Sequence, residues 1–331
     1  MSSLYVIENG ARLEKEYQRL AVFKEDVLLQ RVPLAQVSEV VLIGGVSVTT
    51  PALIALLDRG ASLSIIRSTG KLLGRLTSPS FRNIPLRHQQ YRCADDPDFC
   101  VAISKAVVRG KLCNEQTLLR RLCRTHTEMR NIPLDYIPLR LKQVNQVVDL
   151  DSLRGLEGSA ARFYFDVFRR ALLPGWESHA RSRRPPRDPL NALLSLGYSL
   201  LTQSIMTAIE VAGLDPYDGF FHADRYARPA LALDMMEEFR SVIVDSIVLT
   251  VINKQIVETD DFINNEEGTI LKPHALRRFL KQFSARIQTE VIHPLAGKPL
   301  TYQKCFEVQA RLMRKAIEEK NGDAYEPFLA R

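Results

Sequence analysis

Glu157 stands between two glycines, in Leu153-Arg154-Gly155-Leu156-Glu157-Gly158-Ser159, near the start of an otherwise aromatic and apolar helical stretch. A glycine costs a helix interior about 0.8–1.0 kcal/mol relative to alanine, so two of them beside one carboxylate need a reason. Either a ligand, a metal or another backbone comes close to Glu157, or the acid complements the first turn of its helix next to a packing glycine. A second candidate is His222, which closes the turn-rich, aromatic segment Gly213-Leu214-Asp215-Pro216-Tyr217-Asp218-Gly219-Phe220-Phe221-His222. A lone histidine in such a place is more often a hydrogen-bonding residue than a ligand, and spacing alone does not promote it. A third element, Leu231 to Arg240, carries Asp234 and Glu237 on one helical face among Leu233, Met236 and Phe239. Acids near so apolar a surface require a cation or hydrogen bonds, unless they form a solvated stripe paired with Arg240; Glu238 and Arg240 are expected to face outward.

Arginines gather in Arg181-Ser182-Arg183-Arg184-Pro185-Pro186-Arg187-Asp188-Pro189, a stiff, charged approach to the following helix that is able to fork onto phosphate oxygens. Arg162, Arg169, Arg170, Arg225 and Arg228 would extend that surface if they share its side. The ordinary alternative is a solvated loop, and the preference for arginine over lysine tilts the reading toward phosphate.

These residues need elements to hold them. Short runs rich in Val, Leu, Ile and aromatics at Leu4 to Ile7, Arg19 to Phe23, Val27 to Val32 and Val37 to Ile43 read as strands. A helix follows, with Thr49 or Thr50 as N-cap, Pro51 at its first position and Gly60 closing it. Strand signal returns at Ser62 to Ile66 and Leu72 to Leu76, giving a compact, mainly antiparallel β domain. Past Ser78-Pro79-Ser80 and Pro85 the texture becomes helical, with candidate helices at Asp98 to Glu128, Asp151 to Leu173, Pro189 to Ala212, Pro229 to Asn253, Pro273 to Val291 and Tyr302 to Asn321. The fold class is therefore α+β: a compact β domain over residues 1–84 and a larger, mainly α-helical domain over 85–331.

Composition narrows the function classes. The chain has 331 residues, 46% hydrophobic and 25% charged, as ordinary folded proteins do. The apolar stretches around Val40 to Leu57 and Val242 to Ile252 are interrupted, and Met1 to Asn9 lacks the layout of a signal peptide, so a cytoplasmic protein with no membrane span is expected. Five cysteines without CxxC spacing argue against a disulfide framework, and Cys113, Cys123 and His126 match no metal-ligand spacing. A net charge of +7 favours a polyanionic partner.

Taken together, the motifs resemble the CRISPR-associated adaptation integrases. The resemblance rests on LRGLEG around Glu157, RRPPRDPLNALLSLGY from Arg183 to Tyr198, GLDPYDGFFH ending at His222 and RPALALDMMEEFR from Arg228 to Arg240. It extends to Gly44 to Pro51, Gly70 to Leu76, Lys111 to Leu119 and Tyr325-Glu326-Pro327-Phe328, with Ala227 and Ala230 where the family carries glycine and serine. It implies that Glu157, His222 and Glu237 hold one Mg²⁺ or Mn²⁺ ion, with Asp234 supporting them. Such an ion is suited to polarising a phosphodiester. It further implies transesterification, in which the 3′ hydroxyl of spacer DNA attacks the CRISPR repeat, with hydrolysis as the same site using water. The implied fold of the β domain is sandwich-like, and the implied assembly is a homodimer formed through the first domains, two such dimers being bridged by a small ferredoxin-like partner on double-stranded DNA. Arg162, Arg181, Arg183, Arg184, Arg187, Arg225 and Arg228 are its candidate DNA contacts. A stand-alone structure-specific nuclease and a noncatalytic DNA-binding scaffold are the competing readings.

Overall fold

The structure, a computed structural model, describes residues 2–78, 83–176, 185–222, 228–266 and 268–330. Its elements run β1 Ser2–Val6, β2 Arg12–Glu16, β3 Arg19–Lys24, β4 Val27–Pro33, β5 Val37–Ile43, β6 Ser47–Val48, α1 Thr50–Asp58, β7 Ser62–Ile66 and β8 Leu72–Leu76. Helices α2 Ile84–Ala94, α3 Pro97–Thr125, α4 Tyr136–Val144, α5 Leu150–Arg170, α6 Pro189–Val211, α7 Ala230–Met236 and α8 Ser246–Asn253 follow. The hairpin β9 Phe262–Asn265 and β10 Gly268–Leu271, α9 Pro273–Ile287, the pair β11 Glu290–Ile292 and β12 Pro299–Thr301, and α10 Tyr302–Glu319 complete the chain.

Two compact units result. The first contains Met1–Ser80, Ser178–Leu200 and Gln255–Ser284; the second contains Phe81–Glu177, Leu201–Lys254 and Ala285–Arg331. The first therefore draws in two later segments as well as the N-terminal strands. Two contacts explain their recruitment. The β7–β8 turn needs Gly70, at φ +85°, because a Cβ there would stand 3.1 Å from the backbone of Leu196. The Thr269 amide also donates to the Pro186 carbonyl at 2.9 Å, tying the two later segments to each other.

Within the first unit, one four-stranded sheet has the order β1-β5-β7-β8 and the other β4-β3-β2-β6. Leu4, Val40, Leu42 and Leu63 from the first meet Leu13, Leu20 and Val22 from the second in a single core, joined by Ala52 and Leu56 of α1. The sheets are mixed, whereas the sequence reading expects mainly antiparallel pairing: β1/β5, β5/β7 and β2/β6 are parallel, and β2/β3, β3/β4 and β7/β8 antiparallel. Parallel neighbours need long crossovers. Here the β2–β4 meander carries the chain from β1 to β5, and α1 carries it from β5 to β7, with Thr49 as N-cap. Strand β5 is correspondingly buried along nearly its whole length, as a strand covered on both faces must be.

The second unit is organised on α3, 29 residues long and buried on several sides. The stretch expected as one helix from Pro229 to Asn253 is instead broken: α7 stops at Met236, a turn follows, and residues Ser241–Asp245 form a wide π turn before α8. The Val242 carbonyl in that π turn is taken by the Arg286 guanidinium at 2.9 and 2.6 Å. Helix α6 is long and apolar enough to cross a membrane by length and composition, a feature the sequence reading did not register. It is 78% buried inside the folded chain over its apolar window, as a core helix is.

Candidate functional site

Lys111 of α3 organises the site. Its side chain is only 5% exposed, and its ammonium contacts Glu157 of α5 and lies 2.7 Å from Oε2 of Glu237, just past the end of α7. That buried oxygen therefore has the Lys111 ammonium beside it. The other Glu237 oxygen accepts from Arg240 at 2.7 Å. Burial pushes the Glu237 carboxyl toward protonation, but Arg240, Lys111 and His222 outweigh it and hold the group well below the usual range. Burial likewise works against the Lys111 charge, and Glu237 and Glu157 overcome it.

Glu115, one helical turn after Lys111, is the counter-case. Burial pushes its carboxyl up to about 8, against Lys111 and helped by Glu157 and Glu237. Near neutrality the cluster therefore keeps Glu237 ionised beside Lys111 and Arg240, and leaves Glu115 mainly protonated. Glu115 and Lys111 are both missed as site residues by sequence reasoning. The signals were a lysine and a glutamate four apart in a helical stretch, and the place of both within the Lys111 to Leu119 segment of the resemblance.

His222 is placed by Asp234, which is fully buried. The Phe220 and Phe221 amides donate to Asp234 Oδ2 at 2.7 and 3.0 Å, and the His222 amide donates to Oδ1 at 2.9 Å. The His222 ring meets the same Oδ1 through Nδ1 at 2.7 Å. A carboxylate only accepts, so Nδ1 carries a proton, and in the neutral ring the lone pair falls on Nε2. So tight a wrap demands Gly219, where a Cβ would lie 2.6 Å from the Ala230 backbone and 2.8 Å from Asp234 Oδ2. Buried Gln90 of α2 fixes the start of the loop by donating to the Asp215 and Asp218 carbonyls, and Arg154 of α5 takes the Phe221 carbonyl. Neither Gln90 nor Arg154 stood out in the sequence.

Of the residues singled out by sequence, Glu157 and Glu237 come together on Lys111, and His222 joins Asp234 rather than either glutamate. Glu238 and Arg240, expected to face outward, are buried and nearly buried. The helix ends at Met236, so helical periodicity no longer sets where they point. Gly155 and Gly158 are exposed on α5, and a Cβ at either would meet nothing within 4 Å, so neither is a packing glycine within this chain. Exposed Arg162 continues the same face at helical spacing. Arg187 is exposed in the first unit and Arg228 half-buried in the second; Arg181, Arg183, Arg184 and Arg225 lie outside the described residues.

Among the described residues, no three acid, histidine or cysteine side chains converge into a ready-made metal cage. The donor types still suit a hard divalent cation: two carboxylates drawn together on Lys111, and an imidazole whose Nδ1 is engaged by its carboxylate partner, which in the neutral ring leaves the lone pair on Nε2.

An α+β chain whose helical unit holds a carboxylate and imidazole centre is the class that fold and site define. Residues 4–285 match the family described as CRISPR associated protein Cas1. A relative from Thermus thermophilus, named CRISPR-associated endonuclease Cas1 3, is 39% identical over 332 residues, covering 99% of this chain and 97% of that protein. Among solved structures, a chain of a Cas6-RT-Cas1–Cas2 complex superposes with a TM-score of 0.85 at 28% identity, covering 99% of this chain and 36% of that longer one. A casposase bound to integration product gives a TM-score of 0.85 at 24% identity over 100% of this chain and 96% of its own, a likeness of fold. The chain belongs to the CRISPR associated protein Cas1 family.

The Glu115 arrangement has a consequence for stability. With its folded pKa raised from 4.5 to about 8, the folded chain holds this proton more tightly than the unfolded chain. Its contribution is therefore present below about pH 4.5 and lost as pH rises toward about 8. Thermal melts in EDTA at about pH 5 and about pH 8 should show a smaller fall in stability for Glu115→Gln than for the parent. An equal fall would mean that Glu115 is already ionised in the folded chain.

Proposed function

We propose that the chain is a metal-dependent DNA endonuclease and integrase of CRISPR adaptation, which joins the 3′ hydroxyl ends of spacer DNA to the CRISPR repeat. The observation that carries this is the pairing of a compensated carboxylate centre, Glu157 and Glu237 on Lys111, with an open face of α5 bearing Gly155, Gly158 and Arg162. Family membership supports it, as does the name of the 39% identical relative.

Glu157, Glu237 and Nε2 of His222 would hold Mg²⁺ or Mn²⁺, with Asp234 fixing the imidazole. When bound, such an ion polarises the scissile phosphate and offsets charge as the attacking and leaving oxygens exchange. The chain's own residues do the rest. Lys111 and Arg240 keep Glu237 ionised, so no proton has to leave before it can ligate. Asp234 sets the imidazole tautomer and its direction. The two glycines let a phosphodiester backbone approach α5 without meeting a Cβ, and Arg162 offers it a positive charge.

Arg187 of the first unit and Arg228 of the second would be further DNA contacts. The working assembly is a homodimer, paired through its first domains. A small ferredoxin-like partner bridges two such dimers on spacer and repeat DNA in the cytoplasm. The solved complex that includes Cas1 and Cas2 supports an assembly of this kind.

The deciding assay uses purified protein, its small partner, a repeat-bearing plasmid and a labelled duplex with free 3′ hydroxyls, in Mg²⁺, Mn²⁺ or EDTA. Label should join the plasmid only with metal and only from a 3′ hydroxyl end. Glu157→Ala should reduce joining more than about a hundredfold while leaving the melting temperature and duplex binding near those of the parent. Nicking without joining would make the protein a nuclease alone, and metal-independent binding with no strand chemistry would make it a scaffold. Gly158→Ala should stabilise α5 by about 0.5–1 kcal/mol in urea titrations yet lower joining, because its new Cβ meets DNA and nothing in the chain. Full activity in that variant would remove the α5 face from the DNA path.

A further inference from the structure

The last residues of the chain, beyond the part matched to the family, are folded into the interior of the helical unit. Tyr325 and Phe328 are each 1% exposed, and they close on Glu238, which is fully buried immediately after Glu237. The Tyr325 hydroxyl donates to Glu238 Oε1 at 2.5 Å, and the Phe328 amide donates to Oε2 at 2.7 Å. Buried Asn114 of α3 donates to both the Glu238 and Phe328 carbonyls, at 2.7 and 2.8 Å, and accepts from the Ala330 amide at 2.7 Å. The Phe328 ring stacks on Phe239 with centroids 4.9 Å apart.

A second observation comes from the far side of the tail. At Gly110 of α3 a Cβ would lie 2.6 Å from Pro327 and 3.1 Å from the Glu238 side chain, so the helix gives up a side chain where the tail passes. Gly110 immediately precedes Lys111, as Glu238 immediately follows Glu237. The tail is thus fastened one residue away from both partners of the ion pair at the site.

Between α7 and the π turn the Glu237 backbone belongs to no continuous helix, so its direction is set by tertiary contacts. We propose that residues 325–330 form a positioning strap, which fixes the backbone at Glu237 against α3 and thereby aims the Glu237 carboxylate. This rests on the reading of Glu237 as a site residue. The strap touches no substrate: it acts through Glu238 and Asn114. Glu238 serves as a buried anchor, with both carboxylate oxygens used by the tail and none offered to the site.

The test uses Tyr325→Phe in the full-length chain, which deletes one hydroxyl and keeps the ring. Melting temperature, kcat and KM for metal-dependent DNA cleavage, and the Mn²⁺ midpoint are measured beside Glu237→Gln. The expected result is a near-parental melt and KM, a kcat lower by about tenfold, and a higher Mn²⁺ midpoint, since small displacements of catalytic groups cost rate more than binding. A lowered melt with kcat and Mn²⁺ midpoint unchanged would make the tail a purely structural closure. A raised KM with unchanged kcat would make it a DNA contact, and both results overturn the strap. If Tyr325→Phe fails to fold, Gly110→Ala, which displaces Pro327 and leaves every hydrogen-bonding group in place, is read by the same criteria. Inactive Glu237→Gln with normal Tyr325→Phe sinks the strap alone; active Glu237→Gln sinks the site reading with it.

Discussion

One buried ammonium makes the helical unit possible in its present form. Carboxylates inside an apolar bundle protonate or unfold it unless a positive charge is beside them, and Lys111 supplies that charge to Glu157 and Glu237 together. Arg240 adds a second positive charge to Glu237 from three residues on. The contrast with Glu115, as buried but without a partner of its own, shows what Lys111 and Arg240 accomplish: its carboxyl rises to about 8 while that of Glu237 falls. Two acids in one core are driven in opposite directions by their neighbours, and the ionised one is the one suited to hold a cation.

The imidazole half of the site depends on a different device, a single aspartate that satisfies three consecutive backbone amides and the ring they lead to. Four donors on one buried carboxylate convert a loop, ordinarily a mobile element, into a fixed mount for His222. Its close wrap around the start of α7 is open only to glycine at position 219. Loop and helix are therefore a single mechanical part, and Gln90 and Arg154 fasten it to α2 and α5. The first unit contributes none of these groups. Its two sheets form a core of their own, with the turn at Gly70 packed on Leu196 and the hairpin of β9 and β10 tied to Pro186.

Much of this was legible along the chain. Strands β1, β3, β4, β5, β7 and β8 are short runs rich in Val, Leu, Ile and aromatics, helix α1 carries capping signals, and α3, α5, α6, α9 and α10 carry helical periodicity within a few residues of their observed ends. What misled was local pattern extended across a break. The apolar period from Pro229 to Asn253 continues through Glu237 and Glu238, but the helix breaks there, where Asn114 takes the Glu238 carbonyl and Arg286 the Val242 carbonyl in place of intrahelical amides. Parallel pairing was likewise invisible, since it depends on which strands a crossover brings side by side.

The sequence by itself determined the two-part α+β plan and the acids and histidine worth suspecting, because periodicity, capping and unusual glycines act over a few residues. Only the tertiary structure decided that Lys111 would bridge two of those acids, that Asp234 would serve the histidine, and that the C-terminal residues would lie behind Glu237. These are meetings of residues from 12 to 90 and more positions apart. Which charge compensates which is fixed by the packing that removes them all from water, not by their spacing along the chain.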